Sequence, residues 1–398
     1  MSSATDIVVI SGVRTPIGSF GGSLREVPAY DLGALAIRAA VARAGIEAAR
    51  IDKVIYANCR QAGNGPNPAR TAAVRGGIAL SVPVFTVNMA CPSGMKSLML
   101  AARELASGDA QFVVAGGMES MSTMPYLLHN ARWEGFKSGD KVLKDSWSDT
   151  VDPLCGYGMG ITAENQAEKH GISREAQDEF ALLSQRRAAA ALKEKLFADE
   201  IVPVKLEPSR KNPDGAEFGV DEGGRPDSSL QRLALLKPVF KPDGTVTAGN
   251  ACTMGDAACA LVLTTRARAM EAGLKPMFSI LAFAETAVEP ALMGDGPSLS
   301  IPLALERANL TLADMDFIEV NEAFAAQILA NERALNWNRE KVNVFGGAIA
   351  LGHPTGVSGA RLPITLNNVL RRHDKEFGVA AICGGGGVTT AMVIRREN

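Results

Sequence analysis

A strand, a tight turn and an amphipathic helix follow one another in Phe85-Thr-Val-Asn-Met-Ala-Cys-Pro-Ser-Gly-Met-Lys-Ser-Leu-Met-Leu-Ala-Ala-Arg-Glu-Leu105. The apolar residues Phe85 and Val87 alternate with polar ones, whereas beyond the Pro-Ser-Gly turn the apolar side chains recur with helical spacing. Cys91 lies at the turn, just before the predicted helix. We therefore predict a strand–turn–helix unit that presents a thiol near the start of a helix.

This stretch alone leaves two interpretations of Cys91 open. The unpaired N–H groups and partial positive charge of a helix N-terminus favour a thiolate, which would make Cys91 a nucleophile. Free cysteines are also among the most buried residues, so Cys91 could equally be a small core residue.

The whole chain has the composition of a globular protein with room for two or three domains. Its 398 residues are 46% apolar, and 41 Lys and Arg nearly balance 43 Asp and Glu. Because there is no concentrated basic tract and no long apolar segment, we expect neither nucleic acid nor a membrane as a partner. No secretory or organellar presequence pattern is visible, so we expect a cytoplasmic protein.

The six cysteines are too sparse for a disulfide scaffold, and no zinc-site spacing accompanies the four histidines. We therefore expect reduced thiols and no metal site.

Strand-like and helix-like segments alternate along the chain. The first third shows strands at Ile7 to Ser11, Lys53 to Ala57 and Gln111 to Met118, and a helix from Asp31, as its N-cap, to Gly45. This alternation predicts a parallel sheet with helices on both faces.

The same plan recurs in the last third. Its pattern predicts strands at Phe278 to Phe283, Asp316 to Val320, Val342 to Phe345 and, finally, Val379 to Cys383, with a helix over Pro302 to Leu310. Two copies of one plan predict two similar halves about a pseudo-twofold axis, with the functional site where their strand ends and loops converge.

Between the halves, at residues 119 to 250, the composition changes to charged helices and turn-rich connections. Helices are predicted over Thr162 to His170 and Ser173 to Leu196, with Ser173 as an N-cap. The connections include Asn212-Pro-Asp-Gly215 and Gly223-Gly-Arg-Pro-Asp227. We interpret this segment as an inserted lid.

Two polar motifs follow predicted strands of the last third. Asn321-Glu-Ala-Phe-Ala325 comes at a strand end, where open parallel sheets bind ligands, although Asn321 could simply cap the next helix. Gly346 to Arg361 carries five glycines and one histidine. A lone histidine is more often structural than catalytic, but its place in a Gly-His-Pro turn after a strand makes His353 a catalytic candidate.

A second thiol ends the last predicted strand, in Cys383-Gly-Gly-Gly-Gly387. The exposed N–H groups of such glycines form anion-binding nests, and the absence of a following Gly-Lys-Ser/Thr argues against a nucleotide phosphate loop. Two thiols, a histidine and backbone donors suit acyl transfer through a thioester, which needs a nucleophile, a base and donors to an oxyanion.

Together these motifs resemble those of the thiolases, the family of acetyl-CoA acetyltransferases and 3-ketoacyl-CoA thiolases. The resemblance runs almost end to end, through Ser11-Gly-Val-Arg-Thr-Pro-Ile-Gly18, Val87-Asn-Met-Ala-Cys-Pro-Ser-Gly94, Gly116-Gly-Met-Glu-Ser-Met121, Thr245-Val-Thr-Ala-Gly-Asn250, Asn321 to Ala325, Gly346 to Arg361 and Cys383 to Gly387.

This resemblance implies an α/β fold, the thiolase-like five-layer α-β-α-β-α arrangement of two similar halves, and a homo-oligomer, usually a tetramer or dimer. It implies an N-terminal half formed by residues 1–118 together with residues 251–272, and a C-terminal half formed by residues 273–398. Residues 119–250 would form the inserted coenzyme A-binding loop domain.

The resemblance also implies a role for each matching residue. Cys91 would be acylated, Cys383 would exchange a proton with the substrate α-carbon, and His353 would activate the nucleophile and help polarise the thioester oxygen. Asn321 would hold a water of one oxyanion hole, and the N–H groups of Cys91 and Gly385 would form the other. Coenzyme A contacts are implied for Arg225, Met159, Cys252, Ala323 and Phe324. Coenzyme A and acyl-CoA would be substrates, and no further cofactor is expected.

Three positions depart from the family pattern. Gly158 stands where many acetoacetyl-type members have histidine, Cys252 where serine is common, and Thr389 where glycine is usual. These departures bear on coenzyme A contacts and acyl-chain preference, and they leave the catalytic set intact.

Two rival functions remain to be compared. A decarboxylating ketoacyl synthase-like condensing enzyme shares this architecture but has histidine or asparagine where Cys383 stands. A non-catalytic thiolase-like acyl-CoA-binding protein would be expected to have lost Cys91 or His353. The intact residues favour a thiolase, which condenses two acetyl-CoA to acetoacetyl-CoA and coenzyme A or cleaves 3-ketoacyl-CoA by thiolysis.

Overall fold

The structure is a computed structural model, and it describes residues 4–146, 151–208 and 214–397. Its strands are β1 (Ile7–Arg14), β2 (Gly18–Ser19), β3 (Lys53–Ala57), β4 (Val84–Val87), β5 (Phe112–Ser120), β6 (Tyr126–Leu127), β7 (Lys144–Asp145), β8 (Val204–Leu206), β9 (Ala216–Phe218), β10 (Gly255–Thr265), β11 (Phe278–Ala287), β12 (Phe317–Val320), β13 (Phe377–Cys383) and β14 (Val388–Arg396). Its α-helices are α1 (Ala29–Ala44), α2 (Pro68–Arg75), α3 (Ser93–Ser107), α4 (Ala131–Glu134), α5 (Met159–Lys169), α6 (Arg174–Lys193), α7 (Leu230–Ala234), α8 (Arg266–Glu271), α9 (Pro297–Arg307), α10 (Ala325–Leu335), α11 (Ala348–Leu351) and α12 (Thr355–Arg372).

The main sheet has the strand order β12-β13-β14-β11-β1-β10-β5-β3-β4. Its two halves meet where β1 pairs antiparallel with β11 over Val9 and Phe278. In the N-terminal half β1, β3, β4 and β5 point the same way, and β10 runs antiparallel between β1 and β5. In the C-terminal half β11, β12 and β13 share a direction, and β14 runs antiparallel between β11 and β13. The predicted repeat of two similar halves is therefore present.

The predicted parallel sheet is in fact mixed, because each half contains one antiparallel strand, β10 or β14. The strand β14 follows β13 after the short glycine turn, and so short a connection can only join antiparallel neighbours. The sequence pattern predicted Cys383 as the end of the last strand, so β14 was not among the predicted strands. The predicted strand from Val342 to Phe345 is reduced to a single parallel bridge between Ile318 and Val342.

The helices and the two half-sheets form five layers, which are held together by three apolar cores. The central core joins Leu98 of α3 and Leu362 of α12 to the inner faces of both half-sheets. A second core lies between α1, through Ile37, and the outer face of the N-terminal half-sheet. A third lies between α9, through Ile301, and the outer face of the C-terminal half-sheet. Successive side chains of β5 face different cores. Val113 lies in the central core and Val114 in the outer one, as expected from the two-residue period of a strand.

Local predictions have mixed outcomes. Gly45 does end α1 in a left-handed conformation, with φ 69°. Asp31 is not the N-cap, because Pro28 occupies that position. Asp31 lies in the first turn of the helix, where its negative charge interacts favourably with the helix dipole. The helix predicted from Pro302 begins earlier, at Pro297, since proline is accepted in the first turn.

The segment between the halves contributes α5 and α6, which pack against the C-terminal half. Ser173 caps α6 as predicted, because its hydroxyl accepts the N–H of Ala176 at 3.2 Å. The predicted connection at 212–215 lies partly outside the described residues. In the parts of the chain that the structure describes, no helix combines the length and hydropathy that a bilayer crossing requires.

Candidate active site

The turn that carries Cys91 is strained and tightly hydrogen-bonded. It lies between β4 and α3, as predicted, and Ala90 has φ 52°, a left-handed conformation that non-glycine residues rarely adopt. The Ser93 hydroxyl donates to the Ala90 carbonyl at 2.5 Å and accepts the N–H of Met89 at 2.7 Å. The turn places Cys91 in the wall of a cavity of about 330 Å³.

The Cys91 thiol is protonated in the resting site. Burial raises its pKa to about 11, although the charge of Arg60 and the backbone N–H of Gly385 both act to lower it. The expectation that the helix N-terminus would yield a thiolate is therefore wrong, because desolvation outweighs the nearby positive charge. The N–H groups of Gly385 and of Cys91 itself both act on the sulfur, so two backbone donors converge at the nucleophile. Cys91 needs a base at the moment of attack.

His353 is held in one tautomer. Its Nδ1 lies 2.7 Å from Ser358 Oγ, which in turn lies 3.1 Å from the Pro354 carbonyl oxygen. A carbonyl only accepts, so the hydroxyl donates to Pro354 and accepts the Nδ1–H of His353. The lone pair is then on Nε2, a buried atom with no hydrogen-bond partner among the described residues.

The same histidine is neutral. Burial, together with the charges of Arg361 and Arg60, lowers the pKa of His353 to about 3. The charge of Arg60 acts on both His353 and Cys91 and lowers the pKa of each. The neutral ring, with its Nε2 lone pair unpartnered among the described residues, makes His353 a candidate proton acceptor by its geometry.

Cys383 ends β13 and is buried behind the nucleophile. Burial raises its pKa well above the ordinary value, and the nearby thiols of Cys91 and Cys252 raise it further. The following residue, Gly384, packs on the Cys91 turn: an added Cβ would collide with Pro92 and lie 3.1 Å from the Cys91 nitrogen. Glycine is required there for the two cysteine loops to approach each other.

Asn321 is fully buried at the end of β12, with both side-chain polar atoms, Nδ2 and Oδ1, lacking a partner among the described residues. Its backbone N–H donates to Ala381 at 3.0 Å. The alternative of a helix cap is wrong, because Phe324 occupies the N-cap position of α10. An unpaired buried amide costs about 1–3 kcal/mol, so this site favours a bound water or substrate atom that pairs with Asn321.

The residue after it, Glu322, ties the surrounding segments together. Its carboxylate accepts the Ser184 hydroxyl of α6 at 2.6 Å, the Asn343 amide at 3.0 Å and the N–H of Ile349 at 3.2 Å. These contacts hold the inserted helix and the glycine-rich loop before His353 against the strand end that presents Asn321.

Four of the five predicted coenzyme A contacts lie around this centre. Met159 lines the cavity, and its sulfur would lie 3.2 Å from a Cβ placed on Gly385. The N–H of Cys252 donates to Ala323 at 3.0 Å, and Phe324 pairs with the residue before Cys252. Burial raises the pKa of Cys252 to about 12, with a further contribution from Cys91.

Arg225 is not brought to this centre. It is exposed, its backbone N–H donates to Gln185 Oε1 at 2.8 Å, and it does not line the Cys91 cavity.

The segment that follows β3 also lines the site, although none of its residues was predicted there. Cys59 and Arg60 line the cavity, and the Cys59 thiol lies 3.0 Å from the Ala90 carbonyl oxygen. The buried Glu119 carboxylate holds this segment by accepting the N–H groups of Cys59 and Arg60. It also accepts the Thr355 hydroxyl at 2.7 Å, which joins the segment to α12. Strand position was the available signal, because β3 is a parallel neighbour of β4 and their carboxyl ends meet.

Comparison with known proteins gives a consistent result. Family models described as the thiolase N-terminal domain and the thiolase C-terminal domain match residues 7–267 and 274–396. The chain is 49% identical to an acetyl-CoA acetyltransferase of Escherichia coli, over 98% of this chain and 99% of the relative. It is 47% identical to an acetyl-CoA acetyltransferase of Cupriavidus necator, over 99% of this chain and 100% of the relative.

Solved structures agree. The crystal structure of the Bacillus anthracis acetyl-CoA acetyltransferase has a TM-score of 0.96 and 41% identity, covering 99% of each chain. That of human mitochondrial 3-ketoacyl-CoA thiolase has a TM-score of 0.95 and 38% identity, covering 100% of each chain.

Proposed function

This chain belongs to the thiolase family, and on that premise we propose that it transfers an acyl group between coenzyme A and acetyl-CoA through an acyl-enzyme on Cys91. The reaction condenses two acetyl-CoA to acetoacetyl-CoA and coenzyme A, or cleaves 3-ketoacyl-CoA in the reverse direction. The observation that carries the proposal is the half-buried Cys91 thiol in the cavity wall beside Gly385, with the buried Cys383 on the adjoining loop, whose next residue, Gly384, packs against the Cys91 turn.

Acylation is the first half-reaction. The Cys91 proton passes to His353 Nε2 as the sulfur attacks the thioester carbonyl carbon. The N–H groups of Cys91 and Gly385 stabilise the oxyanion. The bond to the coenzyme A sulfur then breaks, and that sulfur takes the proton from His353 as coenzyme A leaves.

Condensation is the second half-reaction. Cys383 passes its proton to His353, and the resulting thiolate removes a proton from the α-carbon of the second acetyl-CoA. The enolate oxygen is stabilised by the protonated His353 and by a water on Asn321. The carbanion attacks the acyl carbon, the bond to Cys91 breaks, the Cys91 sulfur takes the proton from His353, and acetoacetyl-CoA leaves with both thiols restored. The raised pKa of Cys383 suits this step, because a thiolate of high pKa is a strong base.

Both rival functions are disfavoured. A decarboxylating synthase has histidine or asparagine where Cys383 stands, and a non-catalytic binding protein has no need for the strained Cys91 turn or the oriented His353. The relatives named acetyl-CoA acetyltransferase support the same choice.

Coenzyme A and acyl-CoA are the proposed partners, with no further cofactor and a cytoplasmic location. Cys252, Met159, Ala323 and Phe324 are proposed to contact the pantetheine. Arg225 is proposed to lie near the nucleotide end, which its exposed position allows. How Gly158, Cys252 and Thr389 affect acyl-chain preference stays a prediction for substrate profiling.

A homo-oligomer, tetramer or dimer, is also proposed. The strand β4 ends the sheet order with Phe85 39% exposed. The arm around β6 and β7 exposes several large apolar side chains, namely Tyr126, Trp133, Phe136, Val142 and Leu143. An open strand edge and an arm with exposed apolar side chains favour self-association. Light scattering should give a multiple of the 41.8 kDa chain mass, and a monomer would contradict this part.

The central test is the acyl-enzyme. Brief incubation with acetyl-CoA followed by peptide mass mapping should add one acetyl group at Cys91, and Cys91→Ala should abolish both the adduct and thiolysis of acetoacetyl-CoA. Cys155, which does not line the cavity, gives the control variant Cys155→Ala, which should behave like the wild type. Turnover by Cys91→Ala would rule out the proposal.

A further inference from the structure

The Asp152 side chain links the inserted segment to the glycine loop that follows Cys383. One of its carboxylate oxygens accepts the N–H of Gly386 at 2.7 Å, and the other accepts the N–H of Leu154 at 2.9 Å. The residue is buried, so water competes little for these contacts. Hydrogen bonds to a charged acceptor are about twice as strong as those between neutral groups, so this link is a firm one.

The backbone of Asp152 is itself held in a tight turn. Its N–H donates to the Tyr157 carbonyl at 3.0 Å, and its carbonyl accepts the N–H of Gly156 at 2.7 Å and that of Cys155 at 3.2 Å. The turn leads into α5, whose first residue, Met159, lines the Cys91 cavity. The fold of the inserted segment therefore sets where the carboxylate lies.

The glycine loop is fastened at both ends by backbone pairing. The N–H of Gly384 donates to the Val388 carbonyl at 2.8 Å, and the Gly387 carbonyl accepts the N–H of Val288 at 2.8 Å. The N–H of Gly387 also donates to the Gly384 carbonyl at 3.1 Å, which closes a four-residue turn.

The centre of this turn is the peptide between Gly385 and Gly386, which these backbone hydrogen bonds do not hold. Turns of types I and II differ chiefly in the orientation of this central peptide, and glycine at both positions allows either. Gly386 has φ 80°, a conformation that glycine adopts without strain. The Asp152 carboxylate selects the observed orientation, because it attracts the N–H of Gly386 and would repel the carbonyl oxygen of Gly385 if the peptide rotated.

The adjoining N–H, that of Gly385, acts on the nucleophile. It lowers the pKa of Cys91, and Gly385 lines the cavity beside that thiol. In the proposed acylation this N–H and that of Cys91 stabilise the oxyanion, and such donors are effective only when they are placed in advance. Because Gly385 precedes the central peptide of the turn, its position depends on how that peptide is held.

We propose that Asp152 is a positioning residue for the oxyanion site: its carboxylate holds the glycine turn so that the Gly385 N–H points at the carbonyl oxygen of the acyl group on Cys91. The inference rests on the proposed function, because an oxyanion forms there only if Cys91 carries the acyl group. It deepens that function by assigning the support of one oxyanion donor to the inserted segment.

The test reads the hydrogen bonds to the acyl carbonyl directly. The full-length wild type, Asp152→Ala and Asp152→Asn are incubated with acetyl-CoA, unlabelled or carrying ¹³C at the carbonyl, until mass spectrometry shows complete acetylation of Cys91. Infrared difference spectra of the two isotopic forms then isolate the acyl carbonyl band. Asp152→Ala removes the acceptor, and Asp152→Asn keeps one of its two oxygens. The control, Cys155→Ala, changes a side chain of the same turn and leaves the backbone hydrogen bonds intact.

We expect the acyl carbonyl band of Asp152→Ala to move to higher frequency than in the wild type, because the carbonyl then accepts weaker hydrogen bonds. The kcat for thiolysis of acetoacetyl-CoA should fall about 10- to 100-fold, with a smaller change in KM, because the donor is misplaced and substrate binding is retained. Asp152→Asn should lie between Asp152→Ala and the wild type in both measurements. Cys155→Ala should match the wild type.

An unchanged band in Asp152→Ala overturns the inference, and so does an unchanged kcat. If Asp152→Ala does not fold, Asp152→Asn decides by the same two measurements. A wild type that forms no acyl-enzyme on Cys91 contradicts the proposed function, and this inference with it. An acyl-enzyme whose carbonyl band is the same in all the variants contradicts the Asp152 inference alone.

Discussion

At the scale of single residues, the thiols of Cys91 and Cys383 have different surroundings, which suit them to different chemical roles. Cys91 has two backbone donors and a cation acting on it, whereas the pKa of Cys383 is raised by burial and by neighbouring thiols. The first arrangement suits a nucleophile and the second a base. Each role can be removed separately.

Replacing Cys383 with serine should separate acylation from condensation. Cys383→Ser keeps the shape but offers a far weaker base, so Cys91 should still acquire an acetyl group while turnover falls by more than about 100-fold. The variant should also stop exchanging the α-protons of acetyl-CoA with deuterated water, as followed by NMR. Near-normal exchange would move the base role to His353.

Removing the Ser358 hydroxyl should impair the histidine. Ser358→Ala frees Nδ1 of His353, so the ring no longer has one preferred tautomer, and we expect kcat to fall about 10- to 100-fold with a much smaller change in KM. Ser358→Thr, which keeps the hydroxyl, should restore most of the loss. If the alanine and threonine variants lost kcat equally, packing and not tautomer control would explain the effect.

At the scale of elements, the site depends on the close approach of α3 and α12. A Cβ on Gly94 of α3 would lie 2.7 Å from the backbone nitrogen of Ala360 and 2.8 Å from the carbonyl oxygen of Gly356. These are backbone atoms of α12, which cannot move aside cheaply. Since Cys91 precedes α3 and His353 precedes α12, this crossing sets their relative position.

We predict that Gly94→Ala lowers the free energy of unfolding by about 1–3 kcal/mol, because the added methyl overpacks the crossing. Its kcat/KM should also fall at temperatures where the variant remains folded. Denaturant titration and steady-state thiolysis measure the two effects. The matched control is Gly219→Ala, whose Cβ would be 3.7 Å from Pro203, and it should alter neither quantity. Equal behaviour of the two variants would contradict the proposed role of the crossing.

At the scale of the whole molecule, Arg14 joins the N-terminal half to the inserted segment. It is fully buried at the end of β1, donates to Glu200 at 2.6 Å, and forms a forked pair with Asp221 at 2.6 and 2.8 Å. A buried pair of this kind adds little net stability over an apolar contact, but breaking it leaves charges without a partner.

Arg14→Met should therefore destabilise the fold by about 3–5 kcal/mol, because Glu200 and Asp221 stay buried without their cation. Urea unfolding measures the loss. Arg232→Met, which removes an exposed partner of Asp227, should leave the unfolding midpoint unchanged. A loss no larger than that of Arg232→Met would show that Arg14 does not hold the segments together.

The sequence by itself determined many of the strands and helices, their repeated order and the chemical groups of the site. Strand and helix periods are local properties, which is why β3 is predicted at its observed bounds and α3 within a few residues. The thiols, the histidine and the glycine runs are visible as residue types. These residue types suit a cysteine-dependent acyl transfer, and the resemblance of the motifs to those of the thiolases implied the fold.

Only the tertiary structure determined the direction of the pKa shifts of those groups and the residues that surround them. The pKa of Cys91 rises and does not fall, because desolvation by distant segments outweighs the local helix terminus. Arg60 joins the site only because Glu119, far along the chain, holds its backbone. The antiparallel direction of β10 likewise depends on pairing with strands remote in sequence. Burial and long-range contacts depend on how the whole chain packs, so they cannot be predicted from a local sequence pattern.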